Sequence, residues 1–255
     1  MKFLVILIAA TMTLILSGQV SAELTAIPNH DHISIDFFYH GSSVSVRGVS
    51  DPDADLVIKI SAPDGHQALR QKGKVGGFLW MNVGTINFEN VPSLYFLSSS
   101  KKIDDILNSD EMQKDVLGYE ALKKHVEMKP VKDDSEKTRW FGEFIKYQEN
   151  SKLFSVSSGN ITFSRKDGKQ NYYTLFDWPY QSPPGEYTVT VYAVKNNRIV
   201  EKVESKVRVE QAGIVKTLAG MAKNSAAVYG ILSILAALGA GFGVGLIFRK
   251  GGGAH

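Results

Sequence analysis

The chain has no cysteine. That absence excludes disulfide staples, a thiol nucleophile, lipid modification behind a leader, and covalent c-type haem attachment. An exported body of about 200 residues must then be held by an ordinary hydrophobic core, which that length can supply. Also missing are a Gly-x-Ser-x-Gly elbow, a His-Glu-x-x-His pair and a phosphate-binding Walker loop. A hydrolase would have to be assembled from scattered Ser, His and Asp side chains. Charge of one sign is scarce as well: 29 Lys+Arg face 26 Asp+Glu, and without Lys2, Arg249 and Lys250 the balance is 26 against 26. A neutral body gives no support to a nucleic-acid surface, and no nucleic-acid partner is expected.

What is present is a pair of apolar ends. Lys2 precedes an apolar run from Phe3 to Leu16, which turns polar at Ser17-Gly18-Gln19 before Val20-Ser21-Ala22. This is the order of a secretory signal peptide over residues 1–22, with cleavage after Ala22; an uncleaved anchor is the competing reading. At the other end, Asn224 to Phe248 carries no charged side chain. About 20 helical residues cross a hydrocarbon layer of ~30 Å, so residues 225–248 read as a transmembrane helix rather than a buried soluble one. Arg249 and Lys250 behind it place a short tail, 249–255, in the cytoplasm. The expected topology is a single-pass protein of the bacterial inner membrane, with residues 23–210 in the periplasm and 211–224 as a juxtamembrane segment.

Within the body, Ile33, Ile35 and Phe37 alternate with polar residues, Val44 and Val46 continue after Gly41, and Leu56–Ile60 leads into the turn signal Pro63-Asp64-Gly65. Gly76-Gly77 opens another extended region, which Pro92 interrupts before Leu94. From about 101 to 152 the period becomes helical, through Ile103, Ile106 and Leu107, then Leu117, Ala121, Leu122 and Val126, then Trp140, Phe141, Phe144, Ile145 and Gln148. Lys129–Asp134 reads as a solvated loop between helices. Strands return after Gly159 and end in a long hairpin around Asn196-Asn197. The expected fold is mainly β: an immunoglobulin-like β-sandwich with a helical insertion, plus one C-terminal transmembrane helix. An open α+β sheet is the alternative.

Four segments carry the resemblance to a known family: Gly77–Asn82, Phe88–Tyr95, Pro184–Tyr192, and the membrane helix from Tyr229-Gly230 to Phe248-Arg249. Together they resemble the bacterial "putative transmembrane protein" family first defined in alphaproteobacteria. The resemblance implies the fold and the membrane location. It supplies no catalytic residue or cofactor, and it implies neighbours of the TauE/SafE type, which are anion or sulfite exporters.

Candidate sites are few. His30 and His32 share a face if their segment is a strand, with Asp36 or His40 as further ligands, but zinc ordinarily needs at least three converging ligands. Asp51, Asp53 and Asp55 resemble the front of a calcium loop, yet Leu56 stands where glycine is required and Ala62 where a bidentate glutamate is required. No metal or cofactor is therefore assigned. Trp178 and Tyr180, in the aperiodic stretch Asp177-Trp178-Pro179-Tyr180, are read as an exposed recognition loop. Gly239, Gly241, Gly243 and Gly245 form two small-xxx-small pairs and are read as a helix contact face. The functional expectation is a non-enzymatic accessory subunit that contacts membrane lipid and another integral membrane protein, or a second copy of itself. A periplasmic ligand- or metal-binding module is the second choice.

Overall fold

The computed structural model describes residues 23–249, apart from Phe37 and Asp167. The leader at Met1–Ala22 and the tail beyond Arg249 lie outside the described residues. The body is built on two facing sheets. One has the order β1-β3-β11-β10, from Ile27–Pro28 (β1), Ser42–Ser50 (β3), Thr162–Lys166 (β10) and Lys169–Trp178 (β11). The other has the order β2-β13-β12-β4-β7-β9, from His32–Ile35 (β2), Asp55–Ser61 (β4), Tyr95–Ser99 (β7), Phe154–Ser158 (β9), Gly185–Lys195 (β12) and Arg198–Gln211 (β13). Within these two sheets neighbours are antiparallel except for β2 beside β13 and β9 beside β7.

Period-two patterning places the core between the sheets. On β11, Gln170, Tyr172, Thr174, Phe176 and Trp178 are buried while the residues between them face outward. They meet Val44 and Val46 of β3, Leu56, Ile58 and Ile60 of β4, and Val189 and Val191 of β12. β4 breaks the alternation, because Val57 is buried as well. The larger sheet is covered on both faces, so its central strands are apolar on both.

The cover on the outer face is the helical insertion. Its helices are Ile103–Ile106 (α1), Ser109–Lys114 (α2), Tyr119–His125 (α3) and Asp134–Asn150 (α4). Asn108 caps α2 by accepting the Glu111 N–H at 2.9 Å, and Asp133 caps α4 by accepting the Glu136 N–H at 2.8 Å. On α4, Phe141, Phe144, Ile145 and Gln148 form the buried stripe. That stripe joins Val57, Tyr95, Leu97, Tyr192 and Val194 in a second core.

The extended region after Pro63 is a separate structure. Asp64–Val75 (β5) and Leu79–Pro92 (β6) make a long hairpin whose base is joined by Glu127–Lys129 (β8) into a three-stranded sheet. Two expectations shift. Strands resume at Phe154, before Gly159, because β9 pairs in parallel with β7. The stretch from Lys129 also begins as strand β8, whose Met128 lies opposite Phe88. Asn196 and Asn197 take the positive φ values, 51° and 60°, of the tight turn expected between β12 and β13. After β13 come two helices, Gly213–Asn224 (α5) and Ala226–Arg249 (α6).

Candidate functional site

The most distinctive region begins where β13 ends. Ile214, Leu218 and Met221 recur on α5 at i, i+4 and i+7, with Lys216 and Lys223 interleaved. Ile214 and Leu218 are exposed. That pattern suits a helix lying along a lipid interface. α5 stops at Ser225, whose φ and ψ of −145° and 53° break the helix before α6 begins. In α6, Ala226–Gly245 has a mean hydropathy of 2.0, and none of it is buried against the body. At 1.5 Å per residue this span is about 30 Å long, the thickness of a hydrocarbon layer.

The four glycines of α6 do not share one face. At 100° per residue, Gly239 and Gly243 lie on one side and Gly241 and Gly245 on roughly the opposite side. A Cβ built on any of the four would meet nothing within 4 Å. The helix therefore offers two shallow grooves rather than the single contact face read from spacing.

The aspartate cluster is engaged within the protein. Asp51 pairs with Lys195 at 2.8 Å and accepts the Asp53 N–H at 3.1 Å. Asp55 pairs with Lys101 at 2.9 Å and accepts the Ser100 hydroxyl at 2.9 Å. These bonds tie the turn before β4 to the insertion and to the end of β12. A pocket of about 290 Å3 between them is lined by Asp53, Asp55, Lys101, Asp105 and Lys195. Its mixed charge does not favour a cation. His30 and His32 are exposed at the start of β2. Among the described residues no group of three or more His, Asp or Glu side chains is placed to hold a metal.

The stretch read as a recognition loop divides in two. Trp178 is 1% exposed, packed edge-on against Tyr187 at 4.9 Å and against Phe96 at 6.2 Å. Its indole belongs to the sandwich core, because it stands one register step past Phe176 on the inward side of β11. Its Nε1 has no hydrogen-bond partner among the described residues. Tyr180 is exposed, in a loop held by the Ser182 hydroxyl donating to the Pro179 carbonyl at 2.6 Å. A depression of about 710 Å3 beside it is lined by His40, Asn150, Lys152, Asp177 and Tyr180.

Two features escaped the sequence reading. Lys59 is half-buried, donates to the Asp115 carbonyl at 2.6 Å, and lies 5.9 Å from the Tyr192 ring centre. Loss of hydration pushes its ammonium below the usual lysine range, and the Asp115 carboxylate partly opposes the shift. Nothing in the β4 pattern distinguishes it from a solvent-facing lysine. The other feature is the end of the β5–β6 hairpin, where Phe78, Leu79, Trp80 and Met81 are all exposed. Its signal was in the sequence: four apolar residues in a row directly after a Gly-Gly turn, with no second apolar face to pack them.

Among curated proteins, none matches the chain. The family description "Putative transmembrane protein (Alph_Pro_TM)" matches residues 23–250, which takes in the whole sandwich, the insertion and α6. With a membrane-length helix left bare at its end, the chain belongs to this transmembrane protein family.

Proposed function

We propose that the chain is a non-enzymatic accessory subunit of a membrane assembly, anchored once in the bacterial inner membrane with its sandwich in the periplasm. The observation that carries this reading is α6, a helix of membrane-spanning length and composition that makes no use of the body for cover. The body completes two cores of its own without it. The leader and the Arg249-Lys250 pair support the orientation, and the family match begins at residue 23, directly after the expected cleavage point. The strand orders β1-β3-β11-β10 and β2-β13-β12-β4-β7-β9 also support an immunoglobulin-like reading of the body, a scaffold commonly used for recognition at cell surfaces.

The two glycine grooves of α6 are the proposed contacts with neighbouring helices, since small residues let backbones approach closely where lipid offers no hydrophobic drive. The partner to test first is an exporter of the anion or sulfite class implied by the family resemblance. Pull-down of the full chain from mild detergent is the experiment. Gly239→Leu with Gly243→Leu, or Gly241→Leu with Gly245→Leu, should leave insertion intact and weaken recovery of the partner from the altered side. Recovery unchanged in both double variants would assign the contact to the periplasmic body instead.

A further inference from the structure

The β5–β6 hairpin leaves the body at the same end as the membrane anchor. Ser61, the last residue of β4, lies opposite Thr188 of β12, and Thr188 lies opposite Lys206 of β13. A few residues beyond Lys206, β13 ends at Gln211 and passes into α5. Only Ala62 and Pro63 separate Ser61 from the start of β5 at Asp64. The opposite end of the sheet holds the Asn196-Asn197 turn. The hairpin and α6 are thus rooted on one side of the sandwich.

Leu69 and Ile86 are the outermost hairpin residues packed against the second core. Beyond them the hairpin extends by about 20 Å, at ~3.3 Å per residue, to the turn at Gly76 and Gly77. Both glycines have positive φ, 63° and 83°, which sets the tight reversal. Lys74 lies opposite Trp80 and Lys72 opposite Asn82, so these four share a face, and the Lys74 ammonium sits 5.4 Å from the Trp80 ring. The other face carries Val75, Leu79 and Met81 around Gly73, which packs on Val83. Phe78, at the turn, is 83% exposed. No carboxylate occurs between Gly65 and Phe88, while Arg70, Lys72 and Lys74 all do.

We propose that this tip, Val75–Val83, is a second membrane contact that docks in the headgroup region of the bilayer holding α6 and favours anionic lipid. Aromatic and aliphatic side chains beside uncompensated cations suit that boundary, where rings sit at headgroup depth and lysine stems reach outward to phosphate. Tethering by α6 keeps the tip beside the surface at high effective concentration, so a small apolar contact is enough.

The absence of cysteine makes the test direct. The full chain carrying Phe78→Cys, labelled with an environment-sensitive dye, is reconstituted into vesicles of phosphatidylcholine alone or mixed equally with phosphatidylglycerol. Insertion of α6 is checked by flotation, and spin-labelled lipid serves as quencher. Val200→Cys, exposed on β13 beside the Asn196-Asn197 turn, provides the label that should stay in water. Quenching at position 78 but not at 200, stronger in the anionic vesicles, is the expected result. Neutralising Lys72 and Lys74 to Gln should lower docking about fivefold each, as for a cation near an anionic surface. No lipid quenching at position 78 in floated, inserted protein overturns the proposal, including the case where the tip instead cross-links to another protein. Equal quenching in both vesicle types overturns the anionic preference.

Discussion

Phe88 and Phe144 stack at a centroid separation of 4.4 Å with their planes 23° apart. One ring belongs to β6 and the other to α4, so the contact fastens the base of the hairpin to the helical insertion. Phe144 also meets Phe154 of β9 edge-on at 5.6 Å. The ring is fully buried, and its removal leaves a cavity touching three elements. Phe144→Ala should destabilise the body by about 3–5 kcal/mol, read from denaturant unfolding. A loss under 1 kcal/mol would mean that the insertion folds independently of the hairpin.

Among the described glycines, Gly48 leaves the least room for a side chain. A Cβ there would lie 1.9 Å from the Thr25 carbonyl oxygen. The segment it touches is held by the Thr25 N–H donating to the Val49 carbonyl at 3.0 Å and the Val49 N–H donating to the Thr25 hydroxyl at 2.9 Å. Gly48→Ala should displace residues 24–28 and cost about 1–3 kcal/mol. Hydrogen exchange is expected to quicken at Thr25 and Val49 while β11 and β12 stay protected, and unchanged exchange at Thr25 would count against it.

Stability should pass through a maximum on the alkaline side. Lys59 has a folded pKa below its ordinary 10.5, so between that lowered value and 10.5 the unfolded chain binds more protons and stability rises with pH. Tyr95, Tyr172 and Tyr192 are pushed up by burial, as is Tyr187, to about 12. Their contribution is complete below pH 10 and is lost as pH rises through the folded values. Denaturant midpoints measured from pH 8 to 11.5 should therefore rise and then fall. Lys59→Met should remove the rise, and Tyr187→Phe should soften the fall. A midpoint that drops steadily from pH 8 in the unaltered chain would contradict the assignment for Lys59.

Residues 23–210, freed of both apolar ends, should fold as a soluble domain, because both cores close within that range. Cooperative unfolding followed by circular dichroism is the measurement. A product without a transition would show that the body depends on the bilayer.

The parts legible in the sequence were those with one buried face. α4 announced itself through Phe141, Phe144, Ile145 and Gln148, and the final hairpin through Asn196-Asn197, because local period and turn chemistry there agree with the packing. The distal β5–β6 hairpin was harder to read. Lys72, Gly73 and Lys74 lie across from Asn82, Met81 and Trp80 with neither face buried, so no alternation marks the pairing. Trp178 was misplaced for the opposite reason: proline and aspartate neighbours mimic a loop, while its burial comes from Phe96 and Tyr187, residues distant in sequence. The pairing of Lys59 with Asp115 likewise depends on how the insertion folds back over β4. For the glycines of α6, the four-residue spacing is plain in the sequence, but a rotation of 100° per residue turns positions two apart to nearly opposite sides, so the pairs 239/243 and 241/245 cannot share a face.

β13 runs from the Asn196-Asn197 turn to Gln211 with a single register shift against β12, at Val200, and β2 flanks its last four residues, Arg208 to Gln211; only Ala212 separates it from α5. The Ala212 N–H still donates to the Ile35 carbonyl at 2.9 Å. A mechanical load arriving from the membrane therefore enters the body at the end of an internal strand, with no slack to take up. Pulling along that strand acts perpendicular to its hydrogen bonds. The rungs to β12 and β2 are loaded in shear and must fail together, so the body should resist being drawn off its anchor far better than being unzipped from an edge such as β9 or β10.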